Sequence, residues 1–134
     1  MSNAVARKSI IIYSDDSTVR AAMKAALGRR VSDDLPEHDI HEFATGGALR
    51  AYMGKNSADL VILDAEATPE GGMGISRQLK DEVFECPPVL LITARADDAW
   101  LGTWSRADAF AMHPIDPFFF AGKAAQLLRQ KSLV

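Results

Sequence analysis

A chain of 134 residues, 48% apolar and 25% charged, has enough material for one packed domain and too little for two. A net charge of −3 and a pI near 5.5 exclude the basic footprint of a nucleic-acid binder. No apolar run approaches bilayer length and the start lacks a signal-peptide core, so a cytoplasmic protein without membrane contact is expected. The single Cys86 cannot close an internal disulfide. Met1 to Ala4 reads as a frayed terminus or cloning remnant, leaving 5–134 as a single domain.

Ser9 to Tyr13 is a β-branched apolar run and predicts an interior strand that ends in Ser14-Asp15-Asp16-Ser17-Thr18. A helix follows over Val19 to Arg30, with Val19, Ala22, Met23, Ala26 and Leu27 at helical spacing. Asp15 and Asp16 read equally well as helix-capping acids or as cation ligands. Asp39 to Ala44 alternates, which predicts a strand near an edge, with His38 and His41 facing solvent. After a short helix, Ala48 to Gly54, the run Leu60-Val61-Ile62-Leu63 leads straight into Asp64. Continuous apolar runs of this kind predict a strand covered on both faces of a parallel sheet. Beyond a glycine-rich loop, Ile75, Leu79 and Val83 mark a third helix. Val89 to Ala94 predicts a fourth strand, Asp97 to Arg106 a helix, Ala107 to Pro114 a fifth strand, and Pro117 to Lys131 a last helix. The alternation predicts an α/β fold, a five-stranded doubly wound parallel sheet with right-handed crossovers.

Parallel strands share one carboxyl edge, and such edges are where α/β sheets place ligands. Asp15-Asp16, Asp64, Thr93 and His113 all fall there. Three converging carboxylates repel unless a hard cation neutralises them, and oxygen ligands suit Mg²⁺. A carboxylate is also a nucleophile for phosphoryl transfer, and a cation and a hydroxyl then stabilise the phosphoryl oxygens.

This pattern resembles the receiver domain of bacterial two-component response regulators, of (βα)5 flavodoxin-like, CheY-like fold, over nearly the whole chain. The residues that carry it are the acid pair Asp15-Asp16, Asp64, Gly72 eight residues on, Thr93-Ala94, Phe110, and the proline-containing end of the fifth strand. The resemblance implies that Asp64 accepts phosphate from a histidine kinase or phosphotransfer protein. It implies Mg²⁺ held by Asp15, Asp16, Asp64 and the Glu66 backbone carbonyl. Thr93 then contacts the phosphoryl group and, with Phe110, forms the activation switch. His113 departs from the family, which has lysine before this proline. It reads as an imperfect cationic stand-in, as the mark of a site that signals without phosphate, or as a packing residue. Pro69 also departs, lying five residues past Asp64 where four is usual, and Glu66 adds an acid two residues past Asp64.

In the family the last helices and last strand form the surface that partners read. Trp100 and Trp104 share a helix face, and Phe118-Phe119-Phe120 covers most of a turn. Phe120 is expected in the core, with Trp100, Trp104, Phe118 and Phe119 as anchors for a downstream protein or a homodimer. The expected function is that of a stand-alone receiver, not an enzyme, that switches a protein–protein interaction; a phosphate-independent binding module is the rival. Asp64-Ala65-Glu66-Ala67-Thr68 loosely matches the DxDxT loop of haloacid-dehalogenase-type phosphatases, but it follows the third strand and no cap is present. A flavodoxin-like cofactor carrier is disfavoured, because Asp15-Asp16 repels an anionic phosphate.

Overall fold

The computed structural model describes residues 7–95 and 103–132. Within them the chain runs β1 (Lys8–Tyr13), α1 (Ser17–Leu27), β2 (His38–Phe43), α2 (Gly46–Met53), β3 (Leu60–Asp64), α3 (Gly72–Glu82), β4 (Val89–Thr93), β5 (Ala109–Met112) and α4 (Pro117–Ser132). All strand pairs are parallel, in the order β2-β1-β3-β4-β5. Every residue of β3 and β4 is buried, as two-sided coverage of the sheet requires.

The two faces carry separate cores. Ile10, Ile12, Ile62 and Ile92 pack on one side with Met23 and Leu27 of α1 and Phe120 and Leu128 of α4. Ile11, Tyr13, Leu63 and Leu91 pack on the other with Leu49 of α2 and Ile75 and Leu79 of α3. Alternate residues of each strand thus feed opposite layers, the period-two consequence of the pleat. Phe120 is inward as expected, at 1% exposure. No helix among the described residues is long and apolar enough to cross a membrane.

Local chemistry sets the helix ends. The Asp16 carboxylate accepts from the Thr18 amide at 2.8 Å, so α1 starts two residues earlier than its apolar spacing suggests. It stops at Gly28, whose φ of +58° is a left-handed conformation that favours glycine. Asp116 caps α4 through the Phe118 and Phe119 amides (3.0 and 3.3 Å), with Pro117 at the first helical position.

Two readings need correction or restriction. His38 is buried and not solvent-facing: its amide donates to the Arg29 carbonyl, and its Nε2 donates to the Gly28 carbonyl at 2.7 Å. The loop after α1 folds over the start of β2, and burial pushes the His38 pKa below its ordinary value. His41 is half-buried, its ring 5.1 Å from that of Tyr52. Of the helix expected over Asp97 to Arg106, a turn at 103–105 is present, and 96–102, with Trp100, lies outside the described residues.

Candidate functional site

Asp64 ends β3 at the centre of the carboxyl edge, and only 3% of its surface is exposed. His113 stands just past β5, placed there by its amide, which donates to the Thr93 carbonyl at 2.8 Å. The His113 ring meets Asp64, with Nε2 2.8 Å from Oδ1. The Glu66 amide donates to the same oxygen at 2.9 Å, and the Ser14 hydroxyl donates to Oδ2 at 2.8 Å. Burial pushes the Asp64 pKa up, but the hydrogen bonds from His113, Glu66 and Ser14 outweigh it and leave the group below its ordinary value. The reciprocal contact raises His113. Its hydrogen bond to Asp64 exceeds the opposing effect of burial, and the charges of Asp64, Glu66 and Asp16 add to it.

The acid pair divides its work. Asp15 is exposed and reaches across to the loop after β3, taking the Thr68 amide on Oδ1 (3.1 Å) and the Thr68 hydroxyl on Oδ2 (3.2 Å). Asp16 caps α1 and donates its own amide to Ser14 Oγ at 3.1 Å. Ser14 is fully buried and therefore couples Asp64 to the start of α1. The Arg20 guanidinium holds the Ser14 carbonyl at 2.7 Å and pairs with Glu42, fixing the turn after β1. The β3–α3 loop is anchored at Glu70, whose carbonyl takes the Tyr13 hydroxyl at 2.5 Å and whose carboxylate takes a fork from Arg50 at 2.6 and 3.2 Å.

Of the remaining expected site residues, Thr93 is buried, with long hydroxyl contacts to the carbonyls of Arg95 (3.4 Å) and Ala111 (3.5 Å) instead of Asp64. Phe110 lies half-buried on β5 against the core on the α2–α3 side. Glu66 is exposed, its amide engaged with Asp64. No group of three His, Cys, Asp or Glu side chains is gathered as metal holders among the described residues. Mg²⁺, however, usually keeps several waters and is bound by one or two carboxylates. The acids at this edge, Asp15, Asp16 and Asp64, offer carboxylate oxygens, and at Tyr13 burial and the charges of Glu70, Asp15 and Asp64 raise the pKa. Carboxylate oxygens of this kind are ligands that a hard cation takes.

The expected aromatic surface separates into two places. Phe118 and Phe119, 91% and 52% exposed, stand at the start of α4 beside the Asp64 site. Trp104 precedes β5, toward the amino edge, where Arg77 of α3 lies 5.3 Å from its ring and donates to its carbonyl at 3.0 Å. Ser14 and Thr68 are the contacts that spacing did not reveal. An isolated hydroxyl beside a turn has no periodicity to mark it.

A parallel sheet with this strand order, an acid at the tip of β3 and a basic group facing it from the end of β5 define a receiver-like domain. No family model matches the chain. It is 48% identical over 120 residues to a response regulatory protein of Mycobacterium tuberculosis, covering 90% of each chain. It is 27% identical over 123 residues to the transcriptional regulatory protein AruR of Pseudomonas aeruginosa, spanning 49% of that protein. Among solved structures, the signal receiver domain of a LuxO repressor protein from Vibrio parahaemolyticus superposes with a TM-score of 0.79 at 20% identity, over 96% of this chain and 95% of that one. A CheY-like receiver from Methanospirillum hungatei gives 0.77 at 19% identity, over 95% and 98%. The chain belongs to the response regulators, as a receiver domain of CheY-like fold, a signalling module.

Proposed function

We propose that this receiver takes a phosphoryl group onto Asp64 from the phosphohistidine of a histidine kinase or phosphotransfer protein, and so switches a protein–protein interaction in the cytoplasm. The observation that carries the reading is Asp64 itself, a nearly buried carboxylate kept ionised by three hydrogen bonds. Oδ1 accepts two of them and Oδ2 one, so Oδ2 keeps the more available lone pair and is the attacking oxygen. It bonds to phosphorus as the P–N bond of the donor breaks and the imidazole leaves with the electron pair. Asp15 and the Glu66 carbonyl would hold Mg²⁺, joined by Asp64 Oδ1 once the His113 ring gives up its hydrogen bond there, with Asp16 adding negative charge from its capping position. When bound, the cation offsets the charge of the phosphoryl oxygens.

His113 is the stand-in for the family's lysine. Its raised pKa favours the imidazolium, which faces Asp64 before transfer and is available to a phosphoryl oxygen after it. Among the described residues the Thr93 hydroxyl makes long contacts alone, which supports its turning toward the new phosphoryl group, with Phe110 following. Phe119, Met112, His113 and Pro114 line a groove of about 400 Å³, so the site adjoins the exposed Phe118–Phe119 surface. A downstream partner or second copy seated there would sense the change; Trp104 would belong to a separate contact.

Intact-mass analysis after incubation with phosphoramidate and Mg²⁺ tests this reading. One added phosphoryl group is expected, absent in Asp64→Asn and absent when Mg²⁺ is withheld. A second reading, a phosphate-independent binding module, is favoured by one observation: Asp15, Asp16 and Asp64 already have protein donors. Unmodified wild-type protein under the same conditions is its expected result.

A further inference from the structure

We infer that Thr68 is an internal latch on the Asp15 carboxylate and sets how tightly the acid site takes a divalent cation; this rests on the cation-dependent reading above. Both Asp15 oxygens are engaged by one residue, the Thr68 amide on Oδ1 and its hydroxyl on Oδ2. Each donor hydrogen places a positive pole on an oxygen that a cation would ligate. Coordination by Asp15 therefore turns its carboxylate away from Thr68. The loop does not follow, because Glu70, two residues further on, is pinned by the Tyr13 hydroxyl and the Arg50 fork. Asp15 and Thr68 are both exposed, so water replaces whichever contact is released and no buried group is orphaned. A latch of this kind is weak enough to open and strong enough to tune affinity.

Three further observations fit this role. Asp16 is committed to the α1 cap, which leaves Asp15 as the acid of the pair free to turn toward Asp64. The Asp64 carboxylate is fixed by Ser14, His113 and Glu66, so Asp15 is the movable ligand. Thr68 lies four residues past Asp64 on the same loop as the Glu66 carbonyl, so release of Asp15 also frees an amide in the segment next to the phosphoacceptor.

The test is a Mg²⁺ titration of full-length protein followed by backbone amide NMR. Thr68→Val keeps the amide and removes the hydroxyl, and is expected to bind Mg²⁺ roughly fivefold more tightly, the effect of one hydrogen bond to a charged group partly offset by water. Thr68→Ser is expected to match wild type. In wild type, the Thr68 amide resonance is expected to move on saturation as its carboxylate acceptor leaves. If Thr68→Val binds no more tightly while Asp15→Asn loses binding, the latch is overturned and the cation site stands. If neither wild type nor Thr68→Val takes Mg²⁺, the latch and the cation-dependent reading fall together.

Discussion

Replacing Gly72 with alanine is expected to lower the thermal unfolding midpoint by about 10 °C, from a loss of about 3 kcal/mol. A Cβ at Gly72 would stand 2.8 Å from the Asp64 carbonyl oxygen, 2.9 Å from its carbonyl carbon and 2.9 Å from Leu63 Cβ. Two of these are backbone atoms of the central strand, which cannot rotate aside as the end of a flexible side chain could. The first turn of α3 therefore has to lift off β3, and Asp64 moves with it. Gly74→Ala in the same helix is the control, because nothing lies within 4 Å of its Cβ position. It is expected to be neutral or to stabilise by up to ~1 kcal/mol through helix propensity. Calorimetry on the pair checks the contrast, and equal midpoints would show that close packing of α3 on Asp64 is not what holds the site.

Replacing His113 with alanine is expected to cost about 2–3 kcal/mol, less than a fully buried pair, because Asp64 keeps Ser14 and Glu66 and gains water. The pH dependence gives a sharper test than the loss itself. Folding raises the His113 pKa above its ordinary 6.5, so its contribution is complete below that value and disappears as pH rises through the folded-state pKa. Folding lowers Asp64 below its ordinary 3.8, so its contribution is complete above that value and disappears as pH falls through the folded-state pKa. The pair is strongest between these limits. Urea unfolding of wild type is expected to show stability declining above pH 6.5. His113→Lys, cationic throughout that range, is expected to lose this decline. An identical decline in His113→Lys would assign it to some group other than the His113–Asp64 pair.

The strands were legible because β3 and β4 are continuous apolar runs, and a strand covered on both faces has little choice of sequence. The place of Asp64 followed, since a residue at the carboxyl end of a central parallel strand has nowhere else to face. Asp15 and Asp16 were legible only as a pair. Which acid caps α1 depends on where the chain turns, and the structure gives that task to Asp16 while Asp15 crosses to Thr68. His38 was misread because a polar residue closing a polar loop, just ahead of an alternating strand, normally faces water. The loop after α1 covers it, and a long-range fold-back leaves no trace in periodicity. Phe120 was read correctly as the inward member of its aromatic run. Grouping Trp104 with Phe118 and Phe119 treated helix neighbours as one surface, whereas they flank opposite ends of β5.

Borohydride trapping tests the central claim most directly. The reagent reduces an acyl phosphate at a carboxylate to a primary alcohol and leaves phosphate esters and phosphohistidine unreduced. After incubation with phosphoramidate and Mg²⁺, peptide mapping is expected to find homoserine at position 64 and at no other acidic residue. Unreduced Asp64 in protein that carries a phosphoryl group, or homoserine at Asp15 or Asp16 instead, would contradict Asp64 as the phosphoacceptor.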